Sequence, residues 1–207
     1  MGFKSYDDIN DMHIDVLREI ANIGSGNAAS SLSRMLGHQV NIAIPDISVL
    51  GFNEAYEVLG GVEAIMVGTL LTLSGGIEGM IMFLLPIEVV CDLVNMLMFT
   101  EIKSHDEIDE MGYSVINEVS NIMSASFVTA IADMTDMMID ISPPEAALDM
   151  LGSIMSVPSI YFAKMSDTLL LIQNELEIEG KKTSASVLLL PDMPSLSKLM
   201  SSLGIDI

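Results

Sequence analysis

Asp15-Val-Leu-Arg-Glu19-Ile-Ala-Asn22-Ile23 and Ser114-Val-Ile-Asn-Glu118-Val-Ser-Asn121-Ile122 are one pattern, [D/S]-x-x-x-E-x-x-N-I, written twice at a spacing of 99 residues. Working outward at the same offset, Ser5, Asp7, Ile9, Met12, Val16, Ser25 and Met35 also meet identical residues, and the register persists to Ile42/Ile141 and Pro45/Pro144. A duplication of about 100 residues accounts for this, with halves at about 5–100 and 104–205. Repeated core residues are expected of any duplicated fold. A repeated polar face is not, because the core does not require it. Glu and Asn at i and i+3 share one helix face, with Asp15 or Ser114 one turn before them.

Apolar spacing makes the carrier of each pattern a long helix. Over 6–36, Ile9, Met12, Val16, Ile20 and Ile23 form a stripe, and Gly37 is a stop. Over 105–135, Ile108, Met111, Val115, Val119 and Ile122 do the same, behind the acidic start Asp106, Glu107, Asp109 and Glu110. Gly24 and Gly26 interrupt the first helix, and each costs about 1 kcal/mol relative to Ala. Either another backbone packs closely there or the helix breaks.

Strands follow each helix. The first half offers Val40–Ile44, Ala64–Leu73 and Ile77–Leu85, the last two joined by Ser74-Gly75-Gly76. The second offers Met138–Ile141, Leu169–Ile178 and Ser184–Leu190, the last two joined around Gly180-Lys181-Lys182. A short helix closes each half, Ile87–Met98 after Pro86 and Ser195–Leu203 after Pro191. Pro143–Pro144 then Glu145–Met155 reads as a further helix. The order predicts an α+β fold: a pseudo-two-fold duplicated α/β sandwich, with a mostly antiparallel sheet and two long surface helices carrying the polar face. No Gly/Ser-rich linker separates the halves, so one fused body is expected.

Composition narrows the function. The chain has 207 residues, eight Lys and Arg together, and a net charge of −21. Nucleic acid and anionic membrane surfaces are not expected as partners, because binding them needs clustered cations. Mean hydropathy is +0.52. The most apolar stretch, Ala64–Met98, is interrupted by Gly75–Gly76, Glu78, Pro86, Glu88 and Asp92, so no transmembrane segment is expected. The N-terminal MGFKSYDDIND lacks the apolar core of a signal peptide. One cysteine, Cys91, gives no intrachain disulfide and fits a reducing cytoplasm.

Nucleophilic and metal chemistry find little footing. Cys91 has no recognisable His partner, and no G-x-S-x-G elbow exists. His13, His38 and His105 lack ligand spacing and read as capping or solvated groups. The acidic clusters lack a calcium-loop pattern, and the 18 methionines read as plastic core. The Glu/Asn pairs remain. On physical grounds alone two readings stay open, a solvated helix surface or a functional face. The in-register repeat and the poor helix propensity of Asn support the second.

At these positions the chain resembles the CheC/CheX/FliY family of chemotaxis phosphatases, whose motif is [D/S]-x-x-x-E-x-x-N on a long surface helix. N22-IGSGNAA, N121-IM and A130-I-A-D133 add to the likeness. Both sites are complete, as in the two-site CheC-type members. CheX-type chains carry one, and FliY adds a C-terminal switch domain for which this chain leaves no room. The resemblance implies hydrolysis of the aspartyl-phosphate of the response regulator CheY. Asn22 and Asn121 would orient water, Glu19 and Glu118 would pair with the regulator's lysine, and Asp15 and Ser114 would support the face. The regulator would supply its own Mg²⁺, so no cofactor or metal of the chain's own is implied. A second partner is implied, the receptor deamidase CheD, on the helix after Pro-Pro at Pro144–Met155 with Asp149. An amphipathic core helix is the other reading of that segment. A non-catalytic adaptor for CheD or CheY is the alternative function.

Overall fold

The computed structural model describes residues 2–162 and 166–205. The first half runs α1 (Asp11–Leu36), β1 (Val40–Ile42), β2 (Asp46–Gly51), α2 (Phe52–Val58), β3 (Ile65–Gly75), β4 (Gly79–Pro86) and α3 (Ile87–Met98). The second runs α4 (Glu110–Thr135), β5 (Ile139–Ile141), β6 (Glu145–Met150), α5 (Leu151–Ile154), α6 (Ser156–Phe162), β7 (Thr168–Ile178), β8 (Lys181–Pro191) and α7 (Met193–Ser202). A 3-10 turn precedes each long helix, at Tyr6–Asp8 and His105–Glu107.

The long helices start later than the apolar spacing predicts, because a cap intervenes. Ile9 is extended. Asn10 then caps α1, its Oδ1 accepting from the backbone N–H groups of Met12 (3.0 Å) and His13 (3.2 Å). Asp109 caps α4 by accepting from Gly112 N–H at 2.9 Å. Both helices end in the left-handed conformation, at Gly37 (φ 69°) and Asp136 (φ 54°). The late start shifts the buried face. Leu17, Ile20, Ala21, Gly24 and Ala28 face inward on α1, and Ile116, Val119, Met123 and Phe127 on α4. Met12 and Met111, assigned above to the apolar stripes, are 61% and 62% exposed.

One antiparallel sheet carries all eight strands in the order β1-β7-β8-β4-β3-β5, with β2 also pairing with β7 and β6 with β3. Exchanging each strand for the one four places away returns the same order, reversed. Gly180 (φ 81°) and Glu179 (φ 52°) make the two-residue turn between β7 and β8, the mirror-image geometry that suits twisted strands. Both faces of the central strands are covered, so β4 and the middle of β7 and β8 read as unbroken apolar runs rather than alternation.

Register assigns the faces. Thr69 pairs with Phe83, and both point to α4: Thr69 Oγ1 lies 2.8 Å from Ser120 Oγ, and the Phe83 and Phe127 rings meet edge to face at 5.8 Å. Asn174 of β7 points to α1, where its Oδ1 accepts from Ser25 Oγ at 2.9 Å. Gly68, next to Thr69, points the other way, and a Cβ there would lie 2.4 Å from Ile154 Cγ2 of α5. The molecule therefore has three layers, with α1 and α4 on one face of the sheet and α5 on the other. By length and composition α4 alone of the described helices could cross a bilayer, but 56% of its apolar window is buried within the protein.

The helix expected over Glu145–Met155 is corrected. Glu145–Met150 is a strand, not the start of a helix: it pairs with β3 from Ile65↔Met150 to Leu70↔Glu145. Ala146 and Leu148 turn half-inward while Glu145, Ala147 and Asp149 are exposed, a period of two rather than 3.6. The strand completes the edge of β3, and that pairing overrides helix-favouring Ala, Leu and Met. Its first-half counterpart, β2 with α2 behind it, was not anticipated at all.

Gly24 is inside an unbroken helix, so close packing is the correct reading at Gly24 but not at Gly26. A Cβ at Gly24 would sit 3.2 Å from Phe127 Cα and 3.2 Å from its Cγ, whereas one at Gly26 meets nothing within 4 Å. Gly24→Val is expected to destabilise the protein by about 2 kcal/mol through overpacking. Gly26→Ala should be neutral or stabilising by up to about 1 kcal/mol. Urea unfolding of the two variants measures both; equal effects would contradict this account of the crossing.

Candidate functional site

The polar pattern lies on the ridge of each long helix that faces away from the sheet. Going back from Glu19 at 100° per residue, Asp15 lies about 40° to one side, and Asn22 about 60° to that same side. Asp15, Glu19 and Asn22 are all exposed, as are Ser114, Glu118 and Asn121. The helix cannot turn this ridge inward, because its opposite face is fixed by the Gly24–Phe127 approach and by Ser25 and Ser120, whose hydroxyls bond sheet side chains. Among the described residues the side chains of Glu19, Asn22, Glu118 and Asn121 make no hydrogen bond or ion pair within the protein. Four polar groups are thus held at fixed places with their bonding capacity unspent.

The two ridges differ in their supports. Asp15 pairs with Arg18, Nη1 to Oδ1 at 2.5 Å, and this exposed pair contributes little to stability. The counterpart Ser114 turns back on its own helix, donating to Glu110 O at 3.0 Å, and Asn117 stands where Arg18 does. Site one therefore carries an extra ion pair and site two is uncharged except for Glu118. Beside site two an open groove of about 610 Å³ is lined by Ser114, Asn117, Glu118, Asn121 and the turn Ile141–Pro144. Sequence reasoning missed that wall, although the repeated proline at 45 and 144 marked it.

Asp149 is not near either ridge. It is exposed on β6 and shares a face with Met66, its partner in the ladder, and with Gly68, so it lies on the α5 side of the sheet. The segment Pro144–Met155, which the resemblance treats as one helix, is a strand followed by the short helix α5. Among the described residues no three His, Cys, Asp or Glu side chains gather to hold a metal. The first ridge offers two carboxylates and an amide, and the second one carboxylate and an amide, both short of the six or more oxygens a hard cation takes. Cys91 is buried in α3, and burial with the neighbouring Asp92, Glu88 and Glu107 raises its pKa, away from a reactive thiolate.

His13 anchors the start of the first ridge. It is 4% exposed, its Nδ1 accepts from Asn10 N–H at 3.0 Å, and its ring meets Phe3 edge-on at 5.0 Å. Of the two roles open to it in the sequence, capping or solvated, this is the capping one. Burial pushes its pKa below the ordinary 6.5.

The sequence profile of the CheC-like family matches residues 12–49 and 111–147, once over each ridge and the turn after it. The chain is thus similar to the CheC-like family at two places. It is 27% identical over 205 residues to the CheY-P phosphatase CheC of Bacillus subtilis, a match covering 96% of this chain and 97% of that protein. With the flagellar motor switch phosphatase FliY of the same organism it shares 26% over 150 residues, 69% of this chain and 37% of that protein. The crystal structure of Thermotoga maritima FliY superposes with a TM-score of 0.76 at 22% identity, covering 95% of this chain and 98% of that one, and this shows the shared fold. The CheC-like matches coincide with the polar ridges.

Because the unfolded chain binds a proton at His13 more readily than the folded one, stability is lost as pH falls from about 6.5 through the depressed folded value. His13→Gln keeps an acceptor but does not titrate. The difference in unfolding free energy between wild type and variant, measured by urea at about pH 7.5 and about pH 5.5, should shift against wild type on acidification. A pH-independent difference would contradict a neutral, buried His13.

Proposed function

We propose that this chain accelerates hydrolysis of the aspartyl-phosphate on the chemotaxis response regulator CheY, with one site on each ridge. The observation that supports this most directly is a pair of exposed Glu/Asn sets, free of internal partners and repeated in register where the CheC-like profile matches. In this reading each Asn side chain enters the regulator's phosphorylation pocket. Its amide offers both a donor and an acceptor, enough to hold a water in line with phosphorus. Glu19 and Glu118 pair with the regulator's active-site lysine and dock the helix. Neither acts as a base. The regulator brings its own Mg²⁺ and already hydrolyses slowly, so positioning the water is the whole contribution. Asp15 and Ser114 support the face, and the two repeats, 5–100 and 104–205, form one body with two sites. The reaction is cytoplasmic, where the regulator works.

A second reading, a non-catalytic adaptor for the receptor deamidase CheD or for CheY, draws on the position of Asp149. It lies on the opposite side of the sheet from the ridges, so a partner held there leaves both ridges open. Turnover separates the readings. Phosphate release accelerated by substoichiometric protein supports the phosphatase, whereas stoichiometric binding without turnover supports the adaptor. For the phosphatase, Asn22→Ala combined with Asn121→Ala should abolish stimulated dephosphorylation, while either change alone leaves partial activity. Full activity in the double variant would refute the proposal.

A further inference from the structure

The polar ridges continue toward the helix starts, and each ends in an exposed methionine. Met12 is seven residues before Glu19, two turns away and within about 20° of it around the axis. Met111 bears the same relation to Glu118. Both occupy the second position of their helix, and they are 61% and 62% exposed. On α1 and α4 the described large apolar side chains that stand out in solvent are these two and Tyr113. Tyr113 has no such counterpart: the matching residue, Ile14, is half-buried.

The fold has no use for an apolar group at these positions. The contact that steadies a helix entrance joins the residue before the cap to the fourth helical residue. Here those are Ile9 and Ile14 on α1, and Ile108 and Tyr113 on α4. Met12 and Met111 lie outside that pair and outside the core. Their neighbours in the first turn, Asp11 and Glu110, are the acids that a helix start favours.

We infer that Met12 and Met111 are the apolar anchors by which each ridge holds the phosphorylated response regulator, a specificity contact beyond the Glu/Asn set. This rests on the phosphatase reading above. The footprint follows from helix geometry: the methionine stands about 10 Å along the axis from the Glu and about 15 Å from the Asn. The regulator must therefore present an apolar spot about 10 Å beyond its lysine. Charge explains why such an anchor is needed. The chain carries −21, and its substrate is a phosphorylated protein, so long-range fields oppose encounter and affinity must come from short-range contact. Methionine suits this role because its flexible thioether adapts to the surface it meets, and interfaces are enriched in it.

The test is steady-state phosphate release from the phosphorylated regulator by wild type, by Met12→Ala with Met111→Ala, and by Met12→Leu with Met111→Leu. The double Ala variant should raise KM about tenfold with kcat within about twofold, and Leu should restore most of the loss. Unfolding midpoints of all three proteins should agree, since the side chains touch no core. An unchanged KM in the double Ala protein, or a fall in kcat with KM unchanged, overturns the anchor while leaving the phosphatase reading intact. If wild type itself fails to accelerate release, the phosphatase reading falls and the anchor falls with it.

Discussion

The structure depends on how closely α1 can approach α4. Gly24 lets the backbone of α1 come within van der Waals reach of Phe127, and Phe127 in turn seats its ring edge-on against Phe83 of the central strand β4. One contact therefore ties helix to helix and helix to sheet. It also sets the rotation of both helices, because a helix with a glycine pinned against a phenylalanine has only one face left for solvent. The Glu/Asn ridges are what that face displays. Core packing and site geometry are the same constraint seen from two sides.

The crossing also explains why the halves are not copies. At the 99-residue offset Gly24 corresponds to Met123 and Phe127 to Ala28, and all four are buried. Small residues gather on α1 and large ones on α4, so the two helices interlock where two identical faces would clash or leave a void. The buried hydroxyls follow suit. Ser25 bonds Asn174 of β7, while α4 uses Ser120 with Thr69 of β3, at a position where α1 has Ala21. The halves thus differ in the contact layer, whereas the exposed Glu and Asn are identical. Packing alone would favour the reverse, matched residues in the core and unmatched ones on the surface.

How much was legible in the sequence follows the strength of local signals. Ala64–Met98 resolved correctly into two strands and a helix, because unbroken apolar runs between glycines and prolines admit little else. Ile87–Met98 was placed to the residue, since Pro86 marks its start. The Glu145–Met150 segment failed. Pro-Pro followed by Glu, Ala, Ala and Leu is a good helix opening, and only the free edge of β3 makes it a strand. No local pattern carries that information. Met12 fails for a different reason: Ile9 sets the phase of the sequence stripe, but the cap at Asn10 places Ile9 outside the helix, and the inward face centres on Leu17, about 140° from Met12. A misjudged helix start rotates every assignment of its first turns, and it hid two exposed residues inside a supposed core.

Exposure without partners is the property that connects this architecture to chemistry. A buried Glu or Asn would be fixed by its own hydrogen bonds and would have to break them to act on another molecule. On these ridges the backbone is rigid while the functional groups are unengaged, so binding exchanges water for partner groups and loses no internal bond. The cost is that nothing within the protein orients the side chains. A partner must do so, through a charge that captures the Glu and a surface that fits the ridge. A site built this way is silent alone and complete only in complex, which fits the proposed function, in which the substrate is another folded protein carrying the reactive bond. With the methionine anchors inferred above, specificity in that proposal is set by the whole length of the ridge and not by the Asn alone. The distance between the apolar end and the amide end is fixed by helix geometry, and any regulator that cannot match both would bind without placing its phosphoryl group beside the amide.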